Sequence, residues 1–433
     1  MTSTHTEPGR TKTISVVGLG YVGLPTAAAF AASKVKVIGV DVNKDVVNTV
    51  NRGEIHIVEP SLDIVVRAAV SEGYLKATTV PKPAEAFIVS VPTPLKVGKN
   101  EPDLSFIQAA AKMISPVLEA GNLVILESTS PVGTTEQMAA WLADARRDLT
   151  FPQTHGENSD IRIAHCPERV LPGRVIRELV ENDRVIGGMT PLCADTATQL
   201  YKTFVQGECV VTDARTAEMV KLTENSFRDL NIAFANELSF ICDEFDIDVW
   251  EVTALANRHP RVDILQAGPG VGGHCLAIDP WFIVSRAQGS ARLIQTAREV
   301  NESKPKWVIE KVKSAVHAYL LANPGKNSSD VTVACYGLAF KPDIDDLRES
   351  PALEITCALA EAHAGRVLAV EPNVDALPKG VGRFELVDLS AAIKQADVHV
   401  LLVDHREFRA VSPPIGQIVD VKGTWQIRPS FRS

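Results

Sequence analysis

The sequence has no cysteine pair at metal or redox spacing, no long apolar run and no surplus of positive charge, and each absence removes a class of function. Its seven cysteines (Cys166, Cys193, Cys209, Cys242, Cys275, Cys335 and Cys357) are scattered, odd in number and free of any CxxC pair. That argues against a disulfide framework and a thiolate zinc site, so no metal is expected. The longest apolar runs, such as VLAV and VHVLLV, are strand-sized and far short of the roughly 20 residues of a membrane helix. No membrane association is expected. The opening MTSTHTEPGRTK is polar and lacks the apolar stretch of a secretory signal, so residues 1–12 read as a short disordered tail and a cytoplasmic location follows by default. With 44 Lys plus Arg against 53 Asp plus Glu the net charge is −9. This disfavours a general attraction to nucleic acid, while local basic clusters can still bind anions.

What is present is a globular composition, 45% hydrophobic over 433 residues without persistent short repeats, long enough for two or three domains. TISVVGLG, VKVIGVDV, FIVSVPTP and LVILEST are strand-like runs separated by helical stretches, which predicts a parallel sheet covered by helices. From about Thr212 to Glu244 there is no Pro or Gly, and the spacing predicts one long connecting helix capped by Asp213. After another helix, around 291–318, NPGKNSSD reads as a linker. A second alternation follows in VTVACYGLAF, RVLAVEP, VHVLLVDH and QIVDVKG. The expected fold class is α/β, with two doubly wound, Rossmann-like parallel-sheet domains (13–211 and 323–433) joined by a helical middle domain (212–322) that includes the long helix.

GLGYVG, with Gly18, Gly20 and Gly23, directly follows the strand TISVV and opens a helix. Glycines there let the backbone turn tightly and approach a diphosphate, whose charge the helix N-terminus meets. Asp41 ends the next strand, where a carboxylate accepts the hydroxyls of an adenosine ribose. The expected cofactor is therefore NAD, not its 2′-phosphorylated form. Thr93 in VPTP and Thr129 in ESTSPVGTT fall at carboxyl ends of strands, where ligands bind in open α/β sheets; each could equally cap a helix or shape a turn.

GPGVGGHCLAIDPW is the most informative stretch. Four glycines and a proline leave the backbone free to hold Cys275 near a ligand, with Asp279 four residues on, and such a loop is a poor place to pack an inert core thiol. In EMVKLTENSFRD, Lys221, Asn225 and Arg228 share one helix face as either a solvated stripe or part of a site. CPERVLPG contributes Glu168 and Arg169, and NRHPRVDIL contributes His259 and Arg261.

From about Thr13 to Trp425 the sequence resembles the UDP-glucose and GDP-mannose dehydrogenase family. The likeness is carried by GLGYVGLPTAAAFA, NRGEIHIVEP, ILESTSPVGTTEQMA, CPERVLPG, NDRVIGGMTP, AEMVKLTENSFRD, NRHPRVDILQAGPGVGGHCLAIDPWF and GLAFKPDIDDLRESPA. The resemblance implies an NAD-binding amino-terminal domain, a helical middle that builds a homodimer, and a carboxyl-terminal domain that grips a UDP-sugar. It implies Cys275 as nucleophile, Lys221 and Asn225 as oxyanion stabilisers, and Asp279 and Glu168 as helpers of water and proton transfer. By the same likeness Tyr21, Val22, Asp41, Thr93, Thr129 and Arg348 contact NAD. Arg169, Val170, Arg228, His259, Arg261, Gly272, Phe340, Lys341 and Lys422 contact the nucleotide sugar. One departure is Pro172, where many UDP-glucose enzymes of the family carry a second acid. NRHPRV resembles the branch acting on UDP-N-acetyl-D-mannosamine, with UDP-N-acetylglucosamine and UDP-glucose as alternative substrates. Two rival expectations are a single-step hydroxy-acid dehydrogenase and a catalytically silent NAD-binding regulatory protein.

Overall fold

The computed structural model describes residues 12–170, 173–287, 289–374, 376–377 and 380–425. Residues 1–11 of the expected tail and Pro172 lie outside them. The chain divides into two compact units, residues 1–224 and 225–433, and the division falls inside the long helix Ala214–Glu244.

The first unit is built on an eight-stranded sheet, β1 (Thr13–Val17), β2 (Lys36–Val40), β3 (Leu75–Thr78), β4 (Ala86–Val89), β5 (Leu123–Leu126), β6 (Arg162–His165), β7 (Arg184–Gly188) and β8 (Cys209–Asp213), in the order 3-2-1-4-5-6-7-8. All neighbours are parallel except β6 and β7. AFIV and LVIL are apolar throughout, and TISVV nearly so, because helices cover both faces, so alternate residues on either side are buried. Each fully buried Val, Ile, Leu or Phe stabilises by about 1.5–3 kcal/mol. The order reverses between β1 and β4, making a switch point at their carboxyl ends.

The second unit contains the helices Val249–Ala256, Asp279–Arg286 and Arg292–Ala322 and a five-stranded parallel sheet. Its strands are β9 (Val333–Tyr336), β10 (Val367–Val370), β11 (Glu385–Leu386), β12 (Val398–Leu401) and β13 (Gln417–Asp420), in the order 11-10-9-12-13. Val308, Val312 and Val316, one helical turn apart, lay a ridge of the Arg292–Ala322 helix onto Val333, Val398 and Val400. Asp213 caps the long helix as its sequence suggests: Oδ1 accepts the Thr216 N–H at 2.9 Å.

The doubly wound fold class holds for both sheets. The reading along the chain did not single out β3, β7, β8 or β11. LKAT, with a lysine and a threonine in four residues, lacks an apolar run, and EL is only two residues long. RVIGG ends in two glycines whose absent side chains admit the neighbouring backbone, since a Cβ on Gly187 would lie 2.5 Å from Asp213 O. CVVTD sits at the sheet edge, with Val210 and Val211 exposed.

Candidate active site

In the amino-terminal unit the glycines of GLGYVG each do a different task. Gly18 has φ +92°, and a Cβ there would lie 2.2 Å from Ser90 O at the end of β4, so only glycine turns the chain so closely. A Cβ on Gly23 would lie 1.9 Å from Gly18 O, so this glycine seats the helix Gly23–Ala32 on the strand. One on Gly20 would meet nothing within 4 Å, leaving open space over the backbone. Val22 gives the helix no side-chain cap, so the start of the helix is available to an anion. Asp41 is half-buried; Oδ2 accepts the Leu19 N–H and Oδ1 the Asn43 N–H, both at 2.9 Å, which leaves lone pairs for ribose hydroxyls. This cradle fits NAD: Gly18, Gly20, Tyr21, Val22 and Gly23 would hold its diphosphate and Asp41 its adenosine ribose. Thr93 and Thr129 follow β4 and β5, and Ser128 ties their loops by accepting the Val91 N–H at 2.8 Å and donating to Val91 O at 2.7 Å.

Two residues near this loop escaped the sequence reading. His56 lies at the surface, where partial desolvation lowers its pKa while Asp41 pulls the other way. Glu127 is fully buried at the end of β5; burial pushes its carboxyl up to about 7 against the opposing pull of Arg184. The Thr26 hydroxyl donates to it at 3.2 Å. An acid closing the apolar run LVIL was the available signal. Nearby, burial also raises the carboxyl of Glu168, and Lys221, itself buried, opposes the rise. Arg169 pairs with Glu224 at 2.6 Å and donates to Asp183 O at 3.1 Å. Val170 is partly buried against the core.

In the carboxyl-terminal unit the glycine loop delivers Cys275 to the surface. All seven cysteines are among the described residues, and Cys275 alone is exposed. Burial raises the thiols of Cys166 to about 11 and Cys335 to about 12. The Cys275 carbonyl accepts the N–H groups of Ile278 and Asp279 at 3.1 and 2.9 Å, which starts the helix Asp279–Arg286. Asp279 is buried, and its Oδ2 accepts the Asn225 side-chain N–H at 2.6 Å. Behind the loop, Arg298 donates to Asp229 at 2.8 Å and to Leu276 O at 3.4 Å, and Asn236 accepts the Gly268 N–H at 2.9 Å.

The same loop packs on the segment after β9. A Cβ on Gly272 would lie 2.3 Å from Glu349 O and 2.9 Å from Phe340 Cβ, and one on Gly273, at φ +82°, 2.9 Å from the Phe340 ring. Lys422, half-buried, donates to Ala267 O at 3.4 Å. Burial lowers its pKa, opposed by Asp404 and Asp420. Arg348 forks onto Asp346, its Nη2 2.7 Å from Oδ2, and its charge is felt by His274 beside Cys275. Cys275, Asn225, Asp279, Gly272 and Phe340 thus fall in one neighbourhood of this unit. Arg228, His259 and Arg261 are exposed; Arg228 shares the long helix with Asn225, and the other two lie on a turn where the His259 ring accepts the Arg261 N–H at 3.3 Å.

Comparison with known proteins gives these features a context. Residues 12–205, 215–303 and 334–426 match, in order, the NAD binding, central and UDP binding domains of the UDP-glucose/GDP-mannose dehydrogenase family. The chain belongs to this family. It is 65% identical over 419 residues to the UDP-N-acetyl-D-mannosamine dehydrogenase of Yersinia pestis, covering 96% of this chain and 99% of that one. It is 59% identical over 420 residues to the NDP-N-acetyl-D-galactosaminuronic acid dehydrogenase of Ralstonia nicotianae, covering 96% and 97%. Among solved structures, a UDP-D-ManNAc dehydrogenase from Pyrococcus horikoshii superposes with a TM-score of 0.85 at 38% identity, covering 97% of both chains. As a family member the chain is an NAD-dependent dehydrogenase of a UDP-sugar. No described helix is long and apolar enough to cross a membrane.

Proposed function

We propose that this enzyme oxidises the carbon-6 alcohol of UDP-N-acetyl-D-mannosamine to the uronate in two hydride steps, with Cys275 as covalent nucleophile. The observation that carries the chemistry is Cys275, the one exposed thiol, on a loop rich in glycine beside the Asn225–Asp279 hydrogen bond. The substrate rests on NRHPRV and on the Yersinia relative.

Bound NAD would supply the hydride acceptor, a fresh molecule for each of the two oxidations. After the first, the Cys275 sulfur adds to the aldehyde carbon, giving a thiohemiacetal that again carries a hydride to lose. Its loss leaves a thioester, and water cleaves the thioester to the acid and frees the thiol. Lys221 and Asn225, one turn apart on a single helix, would hold the oxyanion at both tetrahedral stages. Asp279 fixes the Asn225 amide. Glu168, its carboxyl raised by burial, would pass protons to and from water. Gly272, Phe340, Lys341 and Lys422 would hold the nucleotide sugar together with Arg169, Val170, Arg228, His259 and Arg261, and Arg348 would face the cofactor.

We also propose a cytoplasmic homodimer. Phe227, Phe234 and Ile241, seven residues apart on the long helix, are 70%, 51% and 43% exposed, which suits a helix seam with a second copy. Purified protein offered UDP-N-acetylmannosamine, UDP-N-acetylglucosamine and UDP-glucose should turn over the first with the highest kcat/KM and yield about two NADH per sugar. A ratio near one would reject the covalent route, and preference for another sugar would reject the substrate.

A further inference from the structure

The loop geometry of the first sheet recurs in the second with one change. β1 and β9 both run into a glycine of positive φ, Gly18 at +92° and Gly337 at +89°. Each donates its N–H to the end of the neighbouring strand, Val40 O and Val370 O, at 2.8 Å in both cases. Each would collide, given a Cβ, with the residue beyond the strand on its other side, Ser90 O at 2.2 Å and Val403 Cβ at 2.4 Å. An acid then follows the neighbouring strand, Asp41 after β2 and Glu371 after β10. Their surroundings differ. Asp41 gives one oxygen to the loop and stays half-buried. Glu371 is 6% exposed; Oε2 accepts the N–H groups of Leu338 and Ala339 at 2.7 and 2.9 Å and His405 Nε2 at 3.1 Å, and Oε1 accepts the Asn373 N–H at 3.1 Å. A carboxylate so occupied has no capacity for a ribose.

His405 completes the arrangement. It is fully buried, and its Nδ1 accepts the Asp343 N–H at 2.9 Å and the Asn373 side-chain N–H at 3.0 Å. The ring proton therefore sits on Nε2 and is donated to Glu371. Glu371 grips residues 338 and 339, and His405 grips residue 343. Between them lie Phe340 and Lys341, and Phe340 rests on Gly272 and Gly273, which lead to Cys275.

We propose that Glu371 and His405 are a positioning pair for the reaction, fixing both ends of segment 338–343 so that Lys341 meets the nucleotide and Phe340 holds the backbone that carries Cys275. The inference rests on the reading of Lys341 and Cys275 given above. Neither acid nor imidazole touches the reacting atoms, so the effect is transmitted through the loop.

The test uses the full chain with His405→Phe, which fills the space without hydrogen bonds, and His405→Asn, which keeps an acceptor for the Asp343 N–H. UDP affinity, KM for the UDP-sugar, the rate of Cys275 alkylation by iodoacetamide and NAD affinity are measured for each. H405F should weaken UDP binding and raise KM by about tenfold or more, the cost of unsatisfied buried partners, with NAD affinity kept within about twofold. Its Cys275 alkylation rate should change as well, and H405N should fall between H405F and the native chain. Folded H405F with native UDP affinity, KM and alkylation rate would overturn the proposal, as would NAD and UDP affinities falling together. Should H405F not fold, H405N decides, and native values for it overturn the pair's role. A native chain that binds UDP yet yields no NADH from any UDP-sugar would sink the parent reading, leaving UDP affinity and alkylation to judge this one.

Discussion

Replacing Arg298 by Met tests whether the Cys275 loop is held from behind by a buried charge. The Arg298 and Asp229 side chains are 3% and 1% exposed and meet at 2.8 Å. Arg298 also reaches Glu302 at 3.2 Å and Leu276 O at 3.4 Å, beside the thiol. Met keeps the length of the stem and removes every donor, leaving the Asp229 charge with Asn301 alone at 2.8 Å among the described side chains. Breaking one partner of a buried pair costs about 3–5 kcal/mol, a large fraction of the roughly 5–15 kcal/mol that holds a domain together. Removing both charges in R298M/D229N should return much of that, because the cost lies in the stranded carboxylate. The sign with pH follows from Asp229: burial raises its carboxyl even with Arg298 opposing. A raised acid supports the native state fully below its unfolded value of about 4 and loses that support as pH climbs through the native value. Without Arg298 the native value climbs further, so the R298M deficit should be larger at about pH 8 than at about pH 5. Denaturant unfolding followed by fluorescence reads this unit, which carries Trp250, Trp281, Trp307 and Trp425. An R298M transition within about 1 kcal/mol of native at both pH values would refute the reasoning.

Native protein treated briefly with iodoacetamide should be modified at Cys275 before any other cysteine, as peptide mass mapping would show; earlier labelling of Cys166 or Cys335 would contradict the burial described. Cys275→Ala should abolish production of the acid, measured by chromatography of products, because no thioester can form. Asp41→Ala should cut the preference for NAD over NADP, read from the ratio of kcat/KM values, since the carboxylate that repels a 2′-phosphate is gone; an unchanged ratio would move the ribose site elsewhere. Gly273→Ala forces a side chain to φ +82° and to 2.9 Å from Phe340, so it should cost about 1–2 kcal/mol in melting experiments and lower kcat through Cys275.

The parts of the site legible in the sequence were those whose reasons are local. Gly18, Gly20 and Gly23 answer to a turn, an opening and a helix contact within six residues, and Asp41 to the end of the next strand. Cys275 was legible because glycines around a thiol rule out core packing. Glu371 occupies the same place in its sheet as Asp41, yet its pairing with His405 spans 34 residues and exists only once β10 and β12 flank β9. Glu127 likewise draws its character from Arg184 and Tyr201, which the chain order does not place beside it. Exposed edges such as CVVTD, and strands as polar as LKAT, lack the continuous apolar run that announces a buried strand.

The matched glycines of β1 and β9 carry a consequence for what one place on a fold can serve. The two sheets agree in strand order around the switch point, in the φ of one glycine and in an acid one strand away. Asp41 is half-buried and Glu371 is sealed inside, tied to its own backbone. The same position therefore leaves a carboxylate within reach of a ligand in one sheet and makes it a fastening of the loop in the other, and what decides between them is the imidazole that β12 brings alongside.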